Sequence, residues 1–257
     1  MNDNPFVRTF LNWEVIANTF PRLLEEGIRN TLLIAFLAIV VGVVIGLAMA
    51  VLLLSDRWWL RLPARVYVDV FRGLPVVLTV MLIGIGLPAA GFRPFGREPF
   101  GYAVLAIGII SGAYLAEIFR SGIQSVEPGQ MQAARSLGMS YANAMRLVVI
   151  PQGIRRVLPA TAGQFVKDVK ESSLVYILGM AIGQRELFFI AQEEVARTYN
   201  SSPLVAAGIC YLSITIPLTY FVNWLDRRLR EGREAKITPI DDDTPQPEMA
   251  TTTGGPR

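Results

Sequence analysis

Residues 31–55 carry no charge and are almost entirely aliphatic. A backbone surrounded by such side chains has no water to bond to and must satisfy its own polar groups, as a helix does. At 1.5 Å per residue the run makes about 37 Å of helix, enough to cross a bilayer with some tilt. Four more apolar stretches follow, at residues 63–88, 100–119, 158–182 and 198–225. The expected fold is therefore an all-α membrane protein with about five transmembrane helices. Composition agrees: 52% of the residues are hydrophobic and the mean hydropathy is +0.42, so the bilayer replaces much of an ordinary core.

The spans are not uniform. The second carries Asp69 and Arg72 in its first turns, and Gly73 and Pro75 predict a kink, tolerated where a helix faces protein or a cavity. The third contains Gly101, Gly108, Ser111, Gly112 and Ala113, small residues that let helices approach closely. The fourth holds Lys167, Asp168, Lys170 and Glu171. Charges inside a membrane helix cost a few kcal/mol each on insertion scales and face a cavity or a partner. Lys167, Lys170 and Glu171 are spaced i, i+3, i+4 and share one helix face. They line a path through the membrane, or form a structural ion-pair network.

Around the spans, residues 1–27 place Phe6, Phe10, Trp13, Ile16, Ala17 and Phe20 near helical spacing, consistent with an interfacial amphipathic arm or an irregular one. Asp56, Arg57, Trp58, Trp59 and Arg61 mark a membrane interface. Residues 183–202 read as a polar loop with Glu193 and Glu194 on its exposed face, and residues 231–257 as a disordered tail. With the N-terminus outside, Arg57, Arg61, Arg65, Arg120, Arg135, Arg146, Arg155, Arg156 and the basic start of the tail lie inside. Arg8, Arg22, Arg93, Arg97, Arg185 and Arg197 are among the basic residues that then remain outside. The positive-inside bias therefore predicts an outside N-terminus and a cytoplasmic C-terminus.

Several functions are disfavoured. There is no histidine, the usual general base near neutral pH, and no nucleophile paired with a base, which argues against a membrane-embedded enzyme. No metal-ligand cluster is apparent. Cys210 is the only cysteine, so no intrachain disulfide forms. No G-x4-G-K-[ST] phosphate loop occurs, so ATP hydrolysis by this chain is not expected. The net charge of +3 follows membrane topology and gives no reason to expect nucleic acid. Asp3, Glu14, Glu25 and Glu26 interrupt the first thirty residues, so no cleavable signal peptide is expected.

Residues 125–159 stand apart, being too polar to cross a bilayer. Pro128 and Gly129 open a short helix, Ala133 and Ala134 favour it, and Gly138 predicts its stop. A second helix is expected over residues 140–149, ending at Pro151. Ala133-Ala134, three residues, Gly138 and then Ile154-x3-Leu158-Pro159 resemble the EAA loop of ABC importer permeases. The likeness is closest to the polar amino acid branch. It extends to YVDVFRGLPVVLTV (Tyr67 to Val80), GAYLAEIFRSGIQSVEPGQ (Gly112 to Gln130), SLGM (Ser136 to Met139), PQGIRRVLP (Pro151 to Pro159) and KESSL (Lys170 to Leu174). Gln132 stands where that family usually has Glu, which removes a charge but keeps hydrogen-bonding ability.

The resemblance implies an ABC type I importer transmembrane domain over residues 28–230, in the inner membrane of a bacterium. It implies an ATPase dimer carrying ATP and Mg, a second permease copy or a related permease, and an extracytoplasmic binding protein that delivers a polar amino acid. The chain itself would hold no cofactor. Gln132, Ala133, Ala134 and Gly138 are implied to couple to the ATPase, with the small size of Ala133, Ala134 and Gly138 suiting a partner's groove. Lys170 and Glu171 match the family's Lys-Asp pair, with Glu replacing Asp. Glu117 and Arg120 match its A-E-I-x-R pattern and either gate the path or form a local salt bridge. The alternative is a secondary amino acid carrier driven by ion gradients, which explains the buried charges but not the loop.

Overall fold

Two glycine-bearing helices, α3 (Ile28–Leu53) and α7 (Pro99–Gln124), form the centre of the bundle. The computed structural model describes residues 4–234, with side chains through residue 229. On α3 every fourth residue from Ile34 through Ala38, Gly42, Gly46 and Ala50 is buried. A Cβ on Gly42 would lie 2.9 Å from the Ser111 side chain, and one on Gly46 2.7 Å from Leu115 Cβ and 3.1 Å from the Ala116 nitrogen. In return Gly108 and Gly112 make room on α7 for Val41 and Ile45. Lipid tails are as apolar as these side chains, so close packing and dispersion hold the pair together. The opposite stripe of α3, Leu33, Phe36, Val40, Val44, Leu47 and Val51, is exposed and wholly apolar, as a lipid-facing surface must be.

The second span is broken more sharply than a kink. Helix α4 (Trp58–Gly73) and the arm formed by α5 (Val76–Met81), a wide π turn (Leu82–Gly86) and α6 (Leu87–Ala89) meet at 110°. Pro75 disfavours helical backbone at the residue before it, and Leu74 is accordingly extended, with ψ 143°. The Tyr67 hydroxyl donates to the Ile109 carbonyl at 2.6 Å and pins α4 to α7. Val80 and Ile83 join Ile34, Ala38, Ala103, Ala106 and Ile107 in one apolar cluster.

After α7 come the short helices α8 (Pro128–Ser136) and α9 (Tyr141–Ala144). The expected stop at Pro151 is absent, because α9 runs through a π turn (Met145–Val149) into α10 (Ile150–Glu171) without interruption. A proline ring clashes with the carbonyl four residues earlier, here that of Leu147, and the wide turn around Leu147 relieves the clash. The same device precedes Pro88, whose counterpart Gly84 lies in the Leu82–Gly86 turn. Helix α10 crosses α7 with Gly153 against Gly122, over which Val157 also packs. A Cβ on Gly153 would lie 3.1 Å from the Gly122 carbonyl oxygen. Beyond Glu171 it tightens into a 3₁₀ helix (Ser172–Leu178) that ends at Gly179, where φ is +70°.

The stretch expected as a polar loop contains a helix, α11 (Leu187–Thr198). Glu186 caps it, accepting from the Phe188 and Phe189 amides, and also accepts from the Tyr211 hydroxyl. Leu187, Ile190 and Ala191 pack with Ile16 and Leu23 of the N-terminal arm and with Ala206, Ala207 and Cys210 of the last helix, α12 (Ser202–Glu234). The arm itself is helical, as α1 (Pro5–Phe10) and α2 (Trp13–Arg22). Ile16 lies in that core, whereas Phe6, Phe10 and Trp13 are exposed. Glu193 and Glu194 are not a free face. Arg22 and Arg185 both bind Glu193, at 2.7 and 2.5 Å, and Arg197 binds Glu194 at 2.8 Å. Glu26 accepts from the Gly183 and Arg185 amides and closes the same end of the bundle.

Among the described residues, three helical runs (Pro5–Leu53, Pro99–Gln124 and Ser202–Leu229) are long and apolar enough to cross a membrane. The bent pair is a fourth if it counts as one span. Charged α10 completes a bundle of about five. Helix α12 runs on to Glu234. The remainder of the expected tail, residues 235–257, lies outside the described residues.

Gly46→Ala is expected to cost on the order of 1–3 kcal/mol by overpacking against α7. Gly208→Ala meets open space and should leave stability unchanged or slightly raised. Thermal melts of the two detergent-purified variants check this, and equal melting points would show that α3 and α7 do not depend on close contact.

Candidate functional site

Helix α10 brings its charges to the middle of the bundle. Lys167 Nζ lies 3.4 Å from Glu171 Oε1, the pairing that i, i+4 spacing favours. The same ammonium sits 3.4 Å from the centre of the Tyr114 ring on α7, and Arg72 of α4 lies 5.4 Å from that ring. Three helices thus meet at one aromatic ring, whose quadrupole attracts both cations. Glu171 Oε2 is buried with no hydrogen-bond partner. Lys170 is exposed on the same helix. Among the described residues, Glu117 is joined to this cluster by no hydrogen bond or ion pair. Instead it binds Arg120 at 2.6 Å within α7, and Arg120 reaches on to Gln124 at 2.9 Å.

A second polar group lies deeper and was not singled out from the sequence. Asp168 is fully buried. Its carboxylate accepts from the Ser111 hydroxyl and the Gln164 amide, both at 2.8 Å. Gln164 was legible as an i−4 neighbour. Ser111 comes from another span, and its place among the small residues of α7 was the available signal.

The coupling segment forms a helix, a tight stop and a second helix. At the end of α8, Gly138 adopts φ +83°; its amide bonds to the Arg135 carbonyl and the Met139 amide to the Ala134 carbonyl. This is a Schellman stop, which requires the left-handed conformation that glycine adopts without strain. Ser140 then caps α9, accepting from the Asn143 amide. Arg156 ties α10 back to the start of the segment through the Ser125 carbonyl. Gln132 and Ala133 are exposed, whereas Ala134 is buried within the chain's own fold. Open space surrounds Gly138. The small size of Ala134 therefore serves internal packing, and the glycine at 138 serves backbone conformation. Leu137, at 84% exposure, projects beside them.

This architecture has known counterparts. Residues 42–231 match the family model of binding-protein-dependent transport system inner membrane components. The chain belongs to that family. It is 36% identical over 220 residues to the glutamine transport system permease protein GlnP of Escherichia coli (strain K12), covering 85% of this chain and 98% of that one. Identity is 35% over 244 residues to the octopine transport system permease protein OccM of Rhizobium meliloti, covering 92% and 96%. The arginine transport system permease protein ArtQ of Bacillus subtilis (strain 168) is 32% identical over 217 residues, covering 83% and 96%. Among solved structures, an amino acid ABC transporter crystallised with histidines aligns with a TM-score of 0.75 at 36% identity, covering 84% of this chain and 98% of that one. The MetNI methionine ABC transporter in an inward-facing form aligns at 0.66 and 17% identity, covering 80% and 96%, a likeness of fold alone. The fold is that of an ABC type I importer transmembrane domain, and these likenesses give no support to an ion-gradient-driven carrier.

Asp168→Leu strands the Ser111 hydroxyl and the Gln164 amide and is expected to cost about 1–3 kcal/mol for each partner left unsatisfied. Asp168→Asn keeps an acceptor for Gln164 and should melt closer to the parent protein. Melting curves that rank the two variants the other way would show that the buried bonds do not stabilise the α7–α10 contact.

Proposed function

We propose that this chain is the membrane permease subunit of an ATP-driven ABC importer for polar amino acids. The observation that carries the reading is likeness along most of the chain to permeases named for glutamine, octopine and arginine transport. The charged face inside the bundle supports it, since a polar solute needs polar groups along its route through hydrocarbon. The chain is a transport subunit and not an enzyme. ATP and Mg belong to a separate ATPase dimer, a binding protein delivers the amino acid from outside, and a second permease copy or a relative completes the channel. Lys167, Lys170 and Glu171 line the path. Glu117, held by Arg120, acts near the coupling end of α7.

The coupling face is the exposed edge of α8, with Gln132 and Ala133 meeting the ATPase. Ala134 packs beneath that edge, and Gly138 ends its helix. An outside N-terminus and a cytoplasmic C-terminus set this segment on the ATPase side, in line with the basic residues at the same end. ATP-driven closure of the ATPases moves α8, and the spans alternate between inward and outward openings.

Two substitutions separate surface from support. Ala133→Trp should leave the fold intact and reduce substrate-stimulated ATP hydrolysis at least ten-fold in the reconstituted complex. Ala134→Trp overpacks the segment itself and should lower the yield of folded protein. Full coupling in Ala133→Trp would remove α8 from the docking interface. The wider reading is checked by co-purifying the tagged chain from its own membranes and measuring ATPase activity with single amino acids and the binding protein. A chain without an ATPase partner would refute it.

A further inference from the structure

The loop between α6 and α7 holds two arginines over a cleft of about 290 Å³, whose lining includes Gly84, Pro88, Arg93, Arg97, Tyr102 and Leu178. No acid lines it, and exposed Glu98 lies outside it. Arg97 is exposed and forms no hydrogen bond or ion pair among the described residues. Arg93 spends only its Nε, which donates to the Pro88 carbonyl at 3.0 Å. The backbone that carries both is held in place. The Gly91 amide bonds to the Pro88 carbonyl, with φ +90° at Gly91. The Gly96 amide bonds to the Arg93 carbonyl, and the Gly96 carbonyl accepts from the hydroxyl of buried Tyr102 at 3.1 Å. Phe95 packs edge-on against the Tyr102 ring, 5.2 Å between centres. Two free guanidinium forks over one acid-free cleft complement an anion with several acceptor oxygens, a phosphate above all.

The surroundings add a second requirement. The arm that supplies Gly84 and Pro88 exposes Val77, Leu78, Met81, Leu82 and Ile85, an apolar track. Phe92 and Phe95 are exposed beside the arginines, and aromatic side chains of this kind bury at the boundary of headgroups and acyl chains. Cationic charge joined to an apolar track matches an amphiphile, whereas a water-soluble anion or protein surface would leave the track uncovered. We infer that this cleft binds the headgroup phosphate of an anionic phospholipid, with Arg93 and Arg97 on the phosphate and the acyl chains along α5 and α6. Phosphatidylglycerol has the matching chemistry, one negative charge and a neutral glycerol. At ~30 Å³ for each water-sized group the cleft has room for both. A choline headgroup brings its own cation to the two arginines and fits worse. The site is separate from the charged face of α10 and independent of which solute the chain carries.

The test uses the complete transporter, purified with its ATPase partner and stripped of native lipid in a neutral detergent. Native mass spectrometry follows binding as phosphatidylglycerol, phosphatidylcholine and inorganic phosphate are titrated separately. Phosphatidylglycerol is expected to bind more tightly than phosphatidylcholine. Arg97→Gln alters an exposed residue with no internal bond, so it should leave the lipid-free melting point unchanged and weaken phosphatidylglycerol roughly ten-fold. Arg97→Lys keeps the charge without the fork and should fall between parent and Gln variant. Combining Arg93→Gln with Arg97→Gln should abolish the preference for phosphatidylglycerol. The inference is overturned if the parent binds both lipids alike or if the double variant keeps the preference. Inorganic phosphate that displaces phosphatidylglycerol at equal concentration would make this a free-anion site and overturn the lipid assignment. An Arg97→Gln complex that binds phosphatidylglycerol like the parent but loses ATPase stimulation by loaded binding protein would also overturn it, because the arginines would then face acids of that protein.

Discussion

Every other feature of this molecule depends on how closely α3 and α7 approach. In water a helix pair gains free energy by hiding apolar surface, but in a bilayer lipid covers that surface equally well. What remains is dispersion, which decays within an ångström of contact, and whatever polar bonds form between helices. Gly42 and Gly46 remove the side chains that would hold the backbones apart, and Gly112 leaves space for Tyr67. The Tyr67 bond to the Ile109 carbonyl then fixes α4, and through α4 the position of Arg72. Small residues in the centre thus set where large charged ones can meet.

The charges of α10 are tolerated for two different reasons. Asp168 is removed from water altogether but surrounded by donors, so its lone pairs are spent inside the protein. Lys167 and Glu171 are only partly covered, with side-chain exposures of 36% and 12%, and balance one another beside an aromatic ring. The first arrangement is static and belongs to the scaffold. The second leaves Glu171 Oε2 buried without a hydrogen-bond partner. The charges of α10 therefore divide into a buried group, Asp168, and the partly covered Lys167–Glu171 pair, which spacing alone does not distinguish.

Legibility followed the range of the interactions. The chargeless stretch at residues 31–55 and the apolar one at 100–119, broken only by Glu117, announced α3 and α7 because membrane burial depends on composition. The stop at Gly138 was legible because a Schellman turn is written within six residues. Helix α11 was read as a polar loop because its acids counted as solvated, whereas Glu193 finds Arg22 from 171 positions away. Asp168 was passed over for the same reason, its Ser111 partner lying 57 residues distant. Pro151 was read as a terminator because a helix interior normally rejects proline, and nothing local advertises the π turn that admits it. The likeness to importer permeases covered these gaps at the level of fold, but not at the level of which side chain faces inward. Ala134 and Gly138 were expected to be small for a partner's sake, and the chain's own packing and backbone already require it.

The unbroken helix through Pro151 bears on how such a chain works. A stop there would have separated the coupling segment from the charged face by a hinge. As built, residues 141–171 form one continuous helical rod, about 45 Å long at 1.5 Å per residue. One end begins beside α8 and the other carries Lys167 and Glu171. At the Gly122–Gly153 crossing the two backbones approach closely, and the Val157 side chain of the rod packs over Gly122 and against Leu115 and Phe119. Between α9 and Glu171 the helical backbone is uninterrupted. The proline that sequence reasoning took for an end thus lies inside the helix that links the docking segment to the charged face.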